Sequence, residues 1–433
     1  MRFAGRIQNW LQKKPDWFFI AYTGFVAFAV YSSMYAFRKP FTVATYDDQY
    51  LWGLHLKIWF IAAQVLGYTV SKFIGIKVVS EMPGQKRAAS IIALVLLAEI
   101  ALLFFALIPG PAKILFLFMN GLPLGMIWGL VFAYLEGRKY TEILGAVLST
   151  SFIFASGFVK TVGKWLMVDW GVSEYWMPFV TGLLFLLPLV LFVFLIDQVP
   201  RPNNEDIALR TERRPMKLSD RLQFFNRFAT AIVLLILAYA GLSIFREMRD
   251  NFAVEIWAGL GYTDDPQIFT ASEIPVGIGT LLVLGLFSFI KDNTLALYAN
   301  IAVIIVGFLM IGAGAFAFQK GSMSGLAWMI LTGLGLYLAY IPFNALLFER
   351  IIAAFKYPGN IGFVMYLADS FGYLSSIASF SFKNFFSPNL SWINFFISSS
   401  YYISVFGTVL MLMAAVWFRR QKRQQTFALN LKI

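Results

Sequence analysis

Residues 17–46 read WFFIAYTGFVAFAVYSSMYAFRKPFTVATY. The first 21 of them, 17–37, carry no charge, and Arg38-Lys39-Pro40 follows at once. A helix rises 1.5 Å per residue, so roughly 20 apolar residues cross a bilayer, and this run is long enough to span. The residues before it, 1–16, are basic, but no small-residue cleavage site follows the apolar run. It reads as a retained helix rather than a signal peptide. Working outward, comparable runs occupy 56–76, 89–108, 113–135, 143–168, 175–196, 226–257, 268–290, 294–318, 324–348, 360–382 and 393–418. Twelve spans are therefore expected, most of them separated by short joints such as Pro109-Gly110-Pro111 and Tyr357-Pro358-Gly359.

Composition agrees. Of 433 residues, 59% are hydrophobic and 13% charged, against about 45–50% and about 25% in soluble domains. Lipid must be the solvent for much of this surface. The absence of Cys excludes disulfides and thiolate metal sites, and the single His55 cannot build a cluster, so neither metal nor cofactor is expected. A net charge of +12 invites a nucleic-acid partner, but the cations sit in loops, where they set orientation, and no nucleic acid is expected. The only long polar stretch, 197–223, carries Arg201, Arg210, Arg213, Arg214, Lys217 and Arg221 and is too short for a catalytic domain. No phosphate-cradling loop, nucleophile or paired carboxylates appear in a soluble segment, so an enzyme has no positive feature.

With the N-terminus in the cytoplasm, the inside segments hold 23 Lys and Arg, while the outside loops hold only Lys113, Lys320 and Lys383. Asp47, Asp48, Asp169, Glu174, Asp264 and Asp265 also fall outside. One missing or extra span would break this alternation, so an even number of spans and a cytoplasmic C-terminus are expected. The expected domains are a six-helix bundle at 1–196, a cytoplasmic linker at 197–223 and a second bundle at 224–433. Span 1 contains Arg38-x-x-Phe41-x-Val43 and span 7 contains Arg249-x-x-Phe252-x-Val254. The same R-x-x-F-x-V in the first span of each half points to two parallel repeats. That plan is the major facilitator architecture, with a solute site between the repeats near mid-membrane.

Charges inside spans are costly and mark function or pairing. Arg38 and Arg249, one from each half, are the candidates to hold an anion, because guanidinium offers paired donors matched to phosphate or carboxylate. Lys72, on the inner part of span 2, is a third candidate cation, with snorkelling to the interface as its alternative. Asp369, Glu255 and Glu273 are candidates for proton coupling or charge pairing. Arg246, Glu247 and Asp250 are expected to form an internal salt-bridge cluster. Glu99 is expected to find an internal partner. Lys160 is open to an inward role, and Lys164, four residues on, is expected at the outer interface. Gly121, Gly125 and Gly129 recur every four residues in span 4, a spacing that lets helices approach closely.

Tyr35-Ala36-Phe37-Arg38-Lys39-Pro40-Phe41 resembles the Y-x-x-R-K-x-F of the organophosphate:phosphate antiporter branch of the major facilitator superfamily. Ser71-Lys72-Phe73 with Gly75 resembles its second helix, Arg249 falls where it carries a seventh-helix arginine, and Phe371-Gly372-Tyr373-Leu374 resembles a span-11 segment. The resemblance implies that Arg38 and Arg249 are the phosphate-binding pair and Lys72 the family's second-helix lysine. It implies exchange of a phosphorylated metabolite for phosphate by a monomer in the bacterial inner membrane, whose two halves rock around the site. The chain departs from the branch in span 5, where Phe154 stands in place of a histidine, and in a degenerate loop signature over 75–87. Three readings stay open: an organic-anion exchanger, a proton-coupled transporter of another solute, and a sugar-phosphate sensor that does not transport.

Overall fold

A computed structural model describes residues 2–46, 49–202, 206, 218–263, 265–287, 290–345, 347–355, 362–386 and 390–430. The linker cations Arg210, Arg213, Arg214 and Lys217 lie outside the described residues, as do Asp47, Asp48, Asp264 and the 357–359 joint. Helix dominates. The only strands among the described residues are a two-stranded hairpin, Tyr50–Leu51 with Leu54–His55.

Eleven helices among the described residues are long and apolar enough to cross a membrane. Spans 1 to 6 are Asp16–Tyr35, Leu56–Gly75, Gly84–Leu107, Gly110–Leu135, Ile143–Val168 and Met177–Asp197. Spans 7 to 10 are Gln223–Asn251, Ile268–Leu286, Asn293–Gln319 and Gly325–Asn344, and span 12 is Trp392–Gln425. The run expected at 360–382 falls on a 25-residue helix, Gly362–Phe386. It is long enough to span, but Asp369 and five serines (370, 375, 376, 379 and 381) lower its apolarity. It is called span 11 here. The chain is thus an all-α, multi-pass membrane protein. Side chains such as Leu187, Leu282 and Val405 are 79%, 67% and 66% exposed, which suits a surface wetted by lipid tails. Trp17, Trp52 and Trp170 are exposed near span ends, where amphipathic indoles favour the interface.

Two compact units divide the chain. Unit 1 holds residues 1–210, 248–281 and 377–393. In it, span 1 packs on spans 5 and 6, span 2 on span 4, and span 3 on spans 4 and 6. The four-residue glycine spacing in span 4 serves the span 2 contact: a Cβ at Gly121 would lie 2.2 Å from the Gln64 carbonyl oxygen. Span 4 itself is two helices, Lys113–Leu124 and Ile127–Leu135. Pro123, one residue before the end of the first, withholds an N–H that a continuous helix would use. Unit 2 holds 211–247, 282–376 and 394–433. Its core joins spans 9 and 10 at Gly307 and Gly335, and stacks Phe318 on Trp328 and Phe245 on Phe396.

Candidate functional site

Helix geometry places the first arginine. Pro40 has no N–H to continue the helical ladder; span 1 ends at Tyr35 and, after a turn, a short 3-10 helix, Pro40–Val43, follows. Ending a helix inside a membrane frees carbonyls that water cannot reach. Asn120 donates to the Phe37 carbonyl at 3.0 Å and Gln64 to the Arg38 carbonyl at 2.8 Å. The loosened turn thereby holds Arg38 and Lys39 inside unit 1, each 2% exposed.

Arg38 lies over aromatic rings. Its guanidinium is 3.9 Å from the centroid of Tyr68 and 5.9 Å from that of Tyr35. The Lys72 ammonium is 5.5 Å from the same Tyr68 ring, and the Tyr68 hydroxyl meets that of Tyr31 at 3.4 Å. Two cations expected from sequence therefore lie beside one aromatic ring, whose quadrupole attracts cations over its face. Lys72 is half-buried.

Lys39 turns to a different partner. Its ammonium is 2.5 Å from one oxygen of Asp250 and donates to Asn251 at 2.9 Å. Lys160 of span 5 holds the other Asp250 oxygen and donates to the Asp250 backbone carbonyl at 2.5 Å. Ser156, one helical turn earlier, donates to the same carboxylate. Asp250 thus binds two lysines from spans 1 and 5, rather than joining Arg246 and Glu247 as expected from their spacing. Arg249 pairs with Glu273 of span 8 at 2.5 Å. Spans 5 and 8 meet closely at Gly157, where a Cβ would lie 2.4 Å from the Phe269 carbonyl oxygen and 2.8 Å from Glu273 Cγ. Glu255 pairs with Lys57 at 2.5 Å. Of these residues, sequence reading passed over Lys57, Ser156 and Asn251.

Unit 2 has its own arginine. Arg246 donates to Glu247 at 2.5 Å and to the Tyr373 hydroxyl at 3.3 Å, and its guanidinium lies 4.7 Å from the centroid of Tyr340. The Tyr239 hydroxyl donates to the Asp369 carboxylate and meets the Tyr340 hydroxyl at 2.7 Å. The environment of Arg38 is reproduced here. Tyr31 precedes Arg38 by seven residues and touches the tyrosine that Arg38 stacks on; Tyr239 precedes Arg246 by seven and touches the tyrosine that Arg246 stacks on. A Tyr-x6-Arg spacing in the first span of each half was the sequence signal for this second arginine, and it matches Arg38 with Arg246. R-x-x-F-x-V instead matches Arg38 with Arg249, and what the two copies share is a helix break: span 7 stops at Asn251 and restarts at Ala253.

The remaining charges lie elsewhere. Glu99 of span 3 is buried at 5% exposure, and neither carboxyl oxygen has a hydrogen-bond partner among the described residues. Instead of the expected internal partner it rests on bare backbone of span 6 at Gly182. Phe154 belongs to an aromatic stack with Phe158. Lys164 is half-buried.

Among solved structures, a D-xylose–proton symporter matches with a TM-score of 0.59 at 16% identity, over 92% of this chain and 96% of its own. A bacterial homologue of the human drug peptide transporters matches with a TM-score of 0.60 at 11% identity, over 93% of this chain and 99% of its own. These likenesses make the fold that of the major facilitator transporters. No curated protein sequence matches the chain. A family profile described as a family of unknown function, DUF5690, matches residues 40–421, and the chain belongs to that family.

Proposed function

We propose that this protein is a secondary transporter of a small organic anion, a phosphorylated metabolite by class, taken in exchange for inorganic phosphate. The observation that carries the reading is the meeting of two cations within unit 1 at one aromatic ring: the Arg38 guanidinium and the Lys72 ammonium lie 3.9 Å and 5.5 Å from the centroid of Tyr68. Cations inside membrane spans are costly and mark function or pairing. An anionic solute that binds here is attracted by both.

In this reading Arg38 and Lys72, both beside the Tyr68 ring, take the anion. The planar fork of Arg38 gives two parallel hydrogen bonds to one phosphoryl group, each worth roughly 1.5–3 kcal/mol. Lys72 adds a point charge. Arg249 and Lys160 strengthen the field, and Asp250 is the latch that ties span 7 to spans 1 and 5 until the anion relaxes it. The solved likenesses support transport as a class and carry no information on the solute.

The test is uptake into proteoliposomes of purified protein, with labelled phosphate inside or outside and phosphate esters or carboxylates opposite. Uptake driven by trans phosphate, and lost in Arg38→Lys with the variant still folded, is the expected result. Lysine keeps the charge but not the fork. Wild-type rates in Arg38→Lys remove the bidentate site, and binding without any uptake would make the protein a sensor.

A further inference from the structure

The chain begins with a helix that belongs to none of the spans. Arg2–Gln12 is helical, and after Lys13 and Lys14 the extended Pro15 caps span 1, which starts at Asp16. Pro15 has no N–H to carry one helix across this joint. The chain turns there. The Trp10 and Phe18 rings meet edge to face with centroids 5.3 Å apart, whereas eight residues of one straight helix rise about 12 Å.

The short helix is two-faced in sequence. Phe3, Ile7, Trp10 and Leu11 recur at i, i+4, i+7 and i+8, the spacing of one apolar stripe. Residues 2–14 also hold Arg2, Arg6, Lys13 and Lys14, and no acid. Leu11 is 1% exposed and seats the helix on unit 1. Trp10 and Trp17 stay exposed, as does Asn9. The Lys14 ammonium lies 4.6 Å from the centroid of Trp10 and 5.6 Å from that of Phe18, so a cation sits on the aromatic pair. The acid that follows, Asp16, is held by Lys139 at 3.0 Å and by the Tyr140 hydroxyl at 2.5 Å. It therefore has its own cation and does not cancel those of the helix.

The start of span 1 fixes where the apolar layer begins, three residues beyond the end of this helix. A basic helix with an apolar stripe and exposed indoles, placed at that level, suits the boundary between lipid tails and headgroups. We infer that Arg2–Gln12 lies in the membrane interface and, with Lys13 and Lys14, binds the phosphate headgroups of anionic phospholipids. Ile7 and Trp10 meet the acyl chains, and the cations meet the headgroups. The inference rests on the membrane fold alone and does not depend on the solute proposed above.

The chain has no cysteine, so single labels can be placed in the full-length protein, reconstituted in vesicles of phosphatidylcholine and phosphatidylglycerol in equal parts. A spin label at Ile7→Cys should be reached by oxygen, which dissolves in the tails, more than by a water-soluble nickel chelate. One at Asn9→Cys should show the reverse. A fluorophore at Asn9→Cys should be quenched by doxyl-tailed phosphatidylglycerol with at least about fivefold the relative affinity of doxyl-tailed phosphatidylcholine, roughly the weight of one cation at a charged leaflet. That preference should vanish in Arg2→Gln, Arg6→Gln, Lys13→Gln and Lys14→Gln together, since glutamine keeps helix propensity without the charge. It should also fall in 1 M salt, where the screening length is about 3 Å. Equal quenching by the two lipids at low salt overturns the headgroup assignment, and so does a preference that survives the four substitutions. An Ile7 label open to the chelate puts the stripe in water, and one closed to both reagents puts it under protein; either result overturns the interfacial placement.

Discussion

Replacing Asp250 by asparagine tests the latch most directly. In the native chain the carboxylate holds Lys39 at 2.5 Å and Lys160 through its second oxygen. Removing one partner of a buried ion pair costs roughly 3–5 kcal/mol, because a charge is left in low dielectric. Here each lysine keeps one contact: Lys39 the Asn251 amide oxygen at 2.9 Å, and Lys160 the backbone carbonyl of residue 250 at 2.5 Å. The lower end of the range applies, about 3 kcal/mol, or roughly a hundredfold in an equilibrium constant. That free energy is lost from the arrangement in which span 7 is tied to spans 1 and 5, so this contact should open more often. The chain contains no cysteine, so a single thiol can report opening without background. Ala253, 6% exposed and three residues from the carboxylate, is a suitable place. Ala253→Cys should react slowly with a charged maleimide, and Asp250→Asn in the same background should react roughly a hundredfold faster, provided that closure is fast relative to labelling. Asp250→Glu, which keeps the charge, should stay near the parent rate. Equal rates in the parent and the asparagine variant would refute the view that these ion pairs hold the contact shut.

Four further outcomes follow from the same geometry. Lys72→Ala should weaken binding of a dianion more than that of a monoanion at fixed ionic strength, since Coulombic attraction scales with ligand charge; equal losses in a binding titration would place Lys72 outside the site. Tyr68→Phe should bind phosphate nearly as wild type because the ring remains, whereas Tyr68→Ala should lose about tenfold in affinity, on the order of 1–2 kcal/mol of cation–π attraction. Lys57→Met should lower the melting temperature by stranding Glu255, and Lys57→Met with Glu255→Met should restore most of it, as buried pairs are often replaceable by apolar residues; a double variant no more stable than the single one contradicts this. Gly121→Val should cost at least about 1–3 kcal/mol by overpacking against the Gln64 carbonyl, read as a lower melting temperature of the detergent-solubilised protein.

The spans were legible because lipid demands long apolar runs, and such runs survive inspection one segment at a time. Span 11 was legible too, although its serines and Asp369 dilute it. Arg38 and Lys72 stood out as cations in apolar surroundings, and their meeting over Tyr68 follows from two neighbouring spans. Asp250 was harder. Its partners, Lys39 and Lys160, lie 211 and 90 residues away in sequence, and nothing local signals that it points away from Arg246. The Arg246–Glu247 pair was expected as part of a larger cluster, but its match to Arg38 was hidden. A visible R-x-x-F-x-V copy drew attention to Arg249, while the quieter Tyr-x6-Arg spacing marked Arg246. Glu99 was expected to find an internal partner, and only packing shows that it rests on the bare backbone at Gly182 instead.

The cations gathered in unit 1 also bear on how the protein would feel a membrane voltage. Arg38 and Lys72 meet at the ring of Tyr68, a residue within span 2. A charge that crosses the whole membrane field gains or loses about 2.3 kcal/mol per 100 mV. If the protein transports an anion as proposed, a dianion held there changes the charge carried through the field by two, so the empty and the loaded protein would respond differently to voltage. A voltage jump applied without solute should then displace a different amount of charge from the same jump with solute saturating.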